Sequence, residues 1–339
     1  VVKAAVVGGG VFGATAAVEL ARAGAKVDLF DQANDILTGA TARCQARLHH
    51  GYHYPRSDTT AAAARDAAPR FADRFRGAVL RGRHHYVIAD DSKVPAADYL
   101  AFCDRLGLPY ELVDHPQVRG TCLRVQEAFI DVNALRRQLR AELHQRGVNV
   151  HLGQRVEPGP QSGYDLTVMA TYGQPWLRPL RYEVCEVALV QLGRYGAGES
   201  FVVVDGDFVS LDPMGHGHAL YDVHHSVHAS NVGYAPDIPT PYADLLTRLG
   251  PAHTPLSRFE DMTTSASRFL RGIEPGGQGV SIYAGSLFSV RAVLPDVDAT
   301  DERPTLVERD GDTVWVLSGK ICTALDAAQR VAEMASVAA

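Results

Sequence analysis

Apart from Lys3, Val2 to Val7 is an apolar run, the pattern of a strand buried on both faces. A glycine cluster, Gly8-Gly9-Gly10-Val11-Phe12-Gly13, follows directly. From Ala14 to Ala23 the apolar positions take helical spacing, with Ala17, Leu20 and Ala21 on one face and Gly24 as the stop. Lys26 to Phe30 predicts a second strand, closed by Asp31. Asp131 to Arg146 predicts another helix: Asp131 suits an N-cap, Leu135, Leu139 and Leu143 form a stripe, and Gly147 ends it. Val148 to Leu152 reads as a further parallel strand. Near the C-terminus, Val314 to Leu317 is an apolar strand, Ser318-Gly319-Lys320 a turn, and Ile321, Leu325, Ala328 and Ala332 a helical stripe. The middle of the chain alternates with period two. Phe201 to Val204 and Asp207 to Leu211 flank Asp205-Gly206, a hairpin signal, and Ala219 to Ser230 and Gly279 to Ala284 are strand-like. Pro251 to Ser257 and Glu274 to Gly277 read as loops.

The first strand, helix and second strand together span about 30 residues, the usual size of a βαβ unit. The loop between them fits GxGxxG, and each part has a task. Gly8 permits the tight turn, Gly10 lets backbone approach a pyrophosphate, and Gly13 lets helix and strand pack closely. The helix N-terminus offers free N–H groups to phosphates. Asp31, at the end of the second strand, can accept hydrogen bonds from a ribose diol and disfavours a 2′-phosphate. The unit therefore predicts a dinucleotide site unsuited to NADP. It does not by itself choose between NAD and FAD.

Composition narrows the class. The 339 residues are 46% hydrophobic and 21% charged, with 33 Lys and Arg against 39 Asp and Glu. That balance builds no phosphate-tracking basic surface, so nucleic acid is not an expected partner. The apolar stretch Ala4 to Leu20 is interrupted by four glycines and Glu19, and predicts no membrane span. A soluble, cytoplasmic protein is expected. The five cysteines (Cys44, Cys103, Cys122, Cys185, Cys322) form no CxxC pair and read as reduced core thiols. His216, His218, His224, His225 and His228 cluster in sequence but lack a companion ligand set, so no metal is expected; a polar pocket wall, with His224 or Tyr221 touching substrate, is the preferred reading.

Three further segments carry a resemblance. Thr38-Gly39-Ala40-Thr41-Ala42-Arg43-Cys44-Gln45-Ala46-Arg47-Leu48-His49-His50-Gly51-Tyr52-His53-Tyr54, the strand Tyr164 to Gly173, and the terminal strand–Gly319–helix element resemble the D-amino-acid oxidase and glycine oxidase superfamily. Tyr172 interrupts the usual Ala-Thr-Gly of the middle segment, and Lys320 stands where relatives often have another residue. The resemblance implies an α/β fold: a Rossmann-type, GR2-like FAD-binding domain with a discontinuous, strand-rich substrate domain. The expected division is 1–78, 118–174 and 288–339 for FAD, and 79–117 and 175–287 for substrate. The cofactor implied is FAD, held non-covalently. Its expected contacts are Gly8, Gly10, Val11, Phe12, Gly13, Asp31, Gln32, Thr38, Ala40, Thr41, Arg47, Leu48, Gly51, Val156, Ala170, Thr171, Gly173, Ser318, Gly319, Lys320 and Ile321.

In such a flavoenzyme the cofactor takes the hydride and the protein positions substrate and tunes the flavin. Arg291 resembles the family arginine that pairs with a substrate carboxylate; a surface pair with Asp296 or Asp298 is the alternative. Arg303 has a similar context, though Asp301 and Glu302 favour a surface pair. Lys320 can stabilise a reduced, anionic flavin, and Tyr52 with Gly51 is expected beside the ring, ahead of His49, His50 and His53. Cys322 suggests covalent attachment only weakly, because its context differs. The expected reaction is oxidation of the C–N bond of an amine or amino acid to an imine, with O2 as reoxidant; a polar secondary-metabolite or amino-sugar-linked amine suits the His- and Tyr-rich region. A 2-hydroxy acid oxidase is the first alternative. A non-catalytic flavin-binding or redox-sensing protein is the second.

Overall fold

The computed structural model describes residues 1–171, 179–193, 195, 198–206, 209–214, 217–222, 227–232, 235–280, 282–295 and 300–336, with backbone alone between 217 and 237. In chain order its elements are β1 (Lys3–Val7), α1 (Val11–Arg22), β2 (Lys26–Asp31), β3 (Arg47–Leu48), α2 (Asp58–Arg74), β4 (Val79–Arg81), β5 (Arg83–Ile88), α3 (Ala96–Leu106), β6 (Tyr110–Val113), β7 (Thr121–Val125), β8 (Ala128–Ile130), α4 (Val132–Gln145), β9 (Asn149–Leu152) and β10 (Leu166–Met169). The second half adds β11 (Arg181–Gln191), β12 (Glu199–Val204), β13 (Val209–Met214), β14 (Gly217–Asp222), β15 (Val227–Val232), β16 (Ala235–Asp237), α5 (Thr240–Thr247), α6 (Phe259–Ser267), β17 (Ile282–Val293), β18 (Leu306–Asp310), β19 (Thr313–Leu317) and α7 (Ala324–Ser336).

The apolar runs at the two ends of the chain meet in one sheet of order β18-β19-β10-β1-β2-β9. Its four inner pairings from β19 to β9 are all parallel: β1 pairs with β2 and β10, β10 with β19, and β2 with β9; β1 and β10 at its centre are buried almost throughout, as strands covered on both faces are. Only β18 runs antiparallel, closing the edge against β19. α1, α4 and α7 cover this sheet through their small and leucine-rich faces, with Ala14, Ala17, Leu135, Leu139, Ala328 and Val331 in one core. α4 begins as its sequence predicts, Asp131 accepting from the N–H groups of Asn133 and Ala134 at 2.9 Å. α1 starts at Val11, three residues before the expected Ala14, so Gly13 lies inside its first turn.

A second sheet, ten-stranded among the described residues, runs β16-β15-β11-β14-β13-β12-β5-β7-β6, with β17 also on β11. β12 and β13 form the expected antiparallel pair, Phe201 opposite Leu211, although Asp207 of their turn lies outside the described residues. β7 joins this sheet, although its residues fall in the range expected for the cofactor part, and β17 runs across the expected boundary at 287/288. Burial along most of β11 masks its period-two alternation, which is why it was not legible as a long strand.

A candidate active site between the two sheets

One cavity of about 930 Å³ lies where the carboxyl ends of β1, β2, β10 and β19 meet the second sheet. That end of a parallel sheet is where ligands bind in open α/β folds. Gly8, just beyond β1, has φ +103°, and a Cβ there would sit 2.5 Å from the Ala170 carbonyl oxygen. A Cβ on Gly13 would sit 1.8 Å from the Gly8 oxygen, so this glycine closes helix onto strand rather than lining the cavity. Gly10 differs. It caps α1 with no side-chain bond, and a Cβ on it would meet nothing nearer than Thr41 Oγ1 at 3.9 Å. What Gly10 keeps clear is cavity, beside the free N–H groups of a helix start.

Val11, Phe12, Gln32, Thr38, Ala40, Thr41 and Val156 line the same cavity. So does Asp31, whose carboxylate is held by the N–H groups of Gly9 at 2.6 Å and Ala33 at 2.7 Å. Those two bonds fix its orientation at the end of β2. Ala170 and Thr171 line the wall after β10, whereas Tyr172 and Gly173 lie outside the described residues. From the C-terminal element, Ser318, Gly319, Lys320 and Ile321 all line it. Gly319 is needed for close approach, since a Cβ would stand 2.4 Å from the Arg303 carbonyl oxygen. The chain then makes a short turn, Ile321–Thr323, before α7 begins.

Lys320 places its Nζ 4.6 Å from the centre of the Tyr54 ring. Burial lowers its ammonium to about 8, opposed by the nearby Cys322 and Cys44 thiols. Cys322 itself is buried, its thiol pushed up to about 12, and it does not line the cavity.

The segment around β3 corrects several expectations. Arg47 reaches the cavity, but its guanidinium is committed to protein carboxylates: Nη1 donates to Glu127 Oε2 at 2.8 Å, and Nη2 bonds Ser200 Oγ at 2.5 Å and Asp212. Burial works against its charge, and the carboxylates more than offset that, so its pKa is raised. Glu127 is held well below the carboxylate range; burial opposes its charge, but His49 and Arg47 outweigh it. Asp212 is pushed up by burial. Leu48 is fully buried in the core of the first sheet, away from the cavity. Gly51 has φ +108° and fits because a Cβ would come 2.7 Å from the Ala61 oxygen, a packing task against α2.

Tyr52 also stands away from the cavity. Its hydroxyl donates to the Pro109 carbonyl at 2.6 Å, its carbonyl accepts from Tyr99, and it packs with Tyr86 and Tyr99 in a separate core. The turn at residues 51–54 sends Tyr52 inward and brings His49 and His53 to the cavity instead. The side-chain order in a turn is not set by strand alternation, which is why the sequence pointed to the wrong neighbour. Burial lowers His49 to about 4, and His53 is also well below the imidazole range, so both are neutral at physiological pH. The Nδ1 atoms of His49 and His53 and the Oγ of Ser318 are buried without a hydrogen-bond partner.

Charged residues of the second sheet and its flanking segments also line the cavity. Arg291 lines it, yet its Nε bonds Glu183 Oε2 at 2.7 Å, because β11 and β17 place the two residues directly opposite each other. The expected alternative partners, Asp296 and Asp298, lie outside the described residues. Arg303 pairs with Asp301 at 2.6 Å, and the pair is partly buried rather than on the surface. Asp301 and Asp205 line the cavity; the sequence marks Asp205 only as a turn residue and Asp301 only as a partner of Arg303, and neither signal points to a site. Arg56 bonds Asp205 at 2.6 Å. The side chains of Tyr221, His218 and His228, and the residues His216, His224 and His225, lie outside what is described. Among the described residues no group of three His, Cys, Asp or Glu side chains could hold a metal ion. Among them, too, no helix is long and apolar enough to cross a membrane.

The residues present fit FAD. Gly10 leaves open space at a helix start, Asp31 is pre-oriented at the strand end, and partnerless polar atoms stand on Ser318, His49 and His53. Known proteins agree. Residues 3–168 match the family described as FAD dependent oxidoreductase (DAO). An FAD-dependent monooxygenase (kojA) of Aspergillus flavus is 27% identical over 254 residues, covering 62% of this chain and 58% of that protein, so the match spans less than two thirds of the relative's length. An FAD-dependent monooxygenase of Fusarium mangiferae is 25% identical over 359 residues, covering 96% of this chain and 89% of that one. The crystal structure of glycine oxidase from Geobacillus kaustophilus has the same fold, with a TM-score of 0.72 at 14% identity, covering 99% of this chain and 95% of that one. Residues 3–168 belong to the FAD-dependent oxidoreductases of the DAO family, the rest of the chain shares the fold of its glycine oxidase neighbour, and the cofactor is non-covalent FAD.

Proposed function

We propose that the protein oxidises the C–N bond of a polar amine or amino acid. The observation that carries this reading is the continuity of the cavity. The walls that suit a dinucleotide, from Gly8, Gly10 and Asp31 to Gly319 and Lys320, run on into a compartment lined by Arg291, Asp205 and Asp301. Cations and carboxylates in one compartment complement a substrate that carries both an acidic and a basic group. The glycine oxidase likeness agrees with amine chemistry. When bound, FAD supplies a two-electron acceptor for the hydride leaving the substrate carbon, and O2 is the natural reoxidant.

The chain's own residues would then divide the work. Gly10 and the start of α1 would receive the pyrophosphate, and Asp31 the ribose. Lys320 would place a positive charge where negative charge develops on the cofactor. Neutral His49 and His53 would offer hydrogen bonds without adding charge. Arg291, steadied by Glu183, would orient the substrate's acidic group. The monooxygenases among the sequence relatives favour a second reading, in which O2 ends partly in the product. Product analysis separates the two. Amine oxidation gives a carbonyl compound and ammonia with hydrogen peroxide; hydroxylation consumes an external reductant and leaves one atom of labelled O2 in the product. Label in the organic product, with no ammonia, would replace the first reading by the second.

A further inference from the structure

Asp205 and Asp301 share a construction that nothing in the cofactor site needs. Both line the cavity, and each has an arginine bound to it: Arg56 at 2.6 Å on Asp205, Arg303 at 2.6 Å on Asp301. Neither arginine lines that cavity. The order from the cavity outward is therefore carboxylate first, guanidinium behind. Asp205 is also fixed through its backbone, its N–H donating to Ser92 Oγ at 2.7 Å, and the arginine behind Asp301 is held likewise, the N–H of Arg303 donating to Thr60 Oγ1 at 3.2 Å. Asp301 also has φ +53°, a left-handed conformation that residues other than glycine adopt at a cost, and such residues cluster at ligand sites.

An arginine-backed carboxylate has its charge compensated from behind while its remaining lone pairs stay strong acceptors. It favours N–H and O–H donors without demanding a full positive charge. Two of them side by side would recognise a substrate with more than one donor. We propose that Asp301 and Asp205 are specificity residues that accept hydrogen bonds from a hydroxyl- or amino-bearing arm of the substrate. This places the substrate among amino alcohols and polyhydroxylated amines rather than simple alkylamines. The inference deepens the C–N oxidation reading and rests on it for the identity of the reacting bond.

The test is binding to the FAD-loaded protein, followed by perturbation of the flavin absorption. Three probes are used: 3-amino-1,2-propanediol, propylamine and propionate. The diol amine should bind about tenfold or more tightly than propylamine, the worth of one or two charge-assisted bonds. Asp301→Asn, which tolerates a left-handed backbone, should erase that preference and leave propionate binding equal or stronger. Loss of all three affinities together would mean a structural role and overturn the proposal. So would a wild-type protein that does not prefer the diol, or an Asp301→Asn protein that keeps the preference. If Asp301→Asn does not retain FAD, Asp205→Asn carries the same expectation and the same refutation. Because binding is read without turnover, failure of these preferences is distinct from failure of C–N oxidation, which shows only as absent reduction by every amine.

Discussion

Three glycines of one loop do different work, and the difference is measurable residue by residue. A Cβ at Gly13 collides with backbone 1.8 Å away, whereas one at Gly10 enters open cavity. Gly13→Ala should therefore destabilise the protein by about 3 kcal/mol or more, as overpacking against backbone does. Gly10→Val should leave the apoprotein melting temperature within about 2 °C of wild type yet yield a colourless protein. Thermal melts and the flavin absorption of each variant check both; a stable, yellow Gly10→Val protein would remove the phosphate role. Lys320 gives a second residue-scale expectation. Its folded value of about 8 lies below the ordinary 10.5, so between those values the unfolded chain binds more protons and the folded apoprotein gains stability as pH rises. Below about 8 the full cost is present. Lys320→Met should stabilise the apoprotein at neutral pH by up to ~3 kcal/mol, with the gain closing toward pH 10.5. Urea titrations across that range decide it, and an unstabilised variant at neutral pH would show that the ammonium is not desolvated.

At the scale of elements, Arg47 binds parts that are remote in sequence. It sits on β3 and ties Glu127, before β8, to Asp212 on β13 and Ser200 on β12. All three charged side chains are buried. Arg47→Met would leave two carboxylates without their cation, a loss of about 3–5 kcal/mol. Urea denaturation measures this, and a loss below about 1 kcal/mol would mean that water already solvates the group. None of this was legible in the sequence, because the partners lie 80 and 165 residues from Arg47. What was legible is local. The strand–glycine–helix–strand unit, the caps of α4 and the Gly319 turn each declare themselves within a few residues, and Gly8, Gly10, Asp31 and Lys320 all reach the cavity. Tyr52 failed for the converse reason: its neighbours Tyr86 and Tyr99 come from β5 and α3, and only their packing shows where its ring goes. Asp205 reads locally as a turn residue and Asp301 as a partner of its neighbour Arg303; only the fold brings the two to one cavity.

For the whole molecule, the cavity lies between two sheets, so ligand binding should couple them. FAD binds the folded chain and not the unfolded one, and at a free concentration a hundred times its Kd it should add about 2.7 kcal/mol of stability. The melting temperature should rise steadily with added FAD in wild type and stay flat in Gly10→Val. A flat wild-type response would place the cofactor outside the interior cavity. On the proposed reading the labour divides along the same lines: the first sheet would present its parallel strand ends to the cofactor, and the mixed second sheet would supply Arg291 from β17, Asp205 just beyond β12 and the walls around substrate. The most direct test of C–N oxidation is anaerobic mixing of the FAD-loaded protein with matched amines, amino acids, amino alcohols and 2-hydroxy acids, following the flavin band near ~450 nm. Bleaching by an amine, with no bleaching by the hydroxy acid of the same skeleton, is the expected result. Bleaching by the hydroxy acid alone, or by none of them, would contradict it.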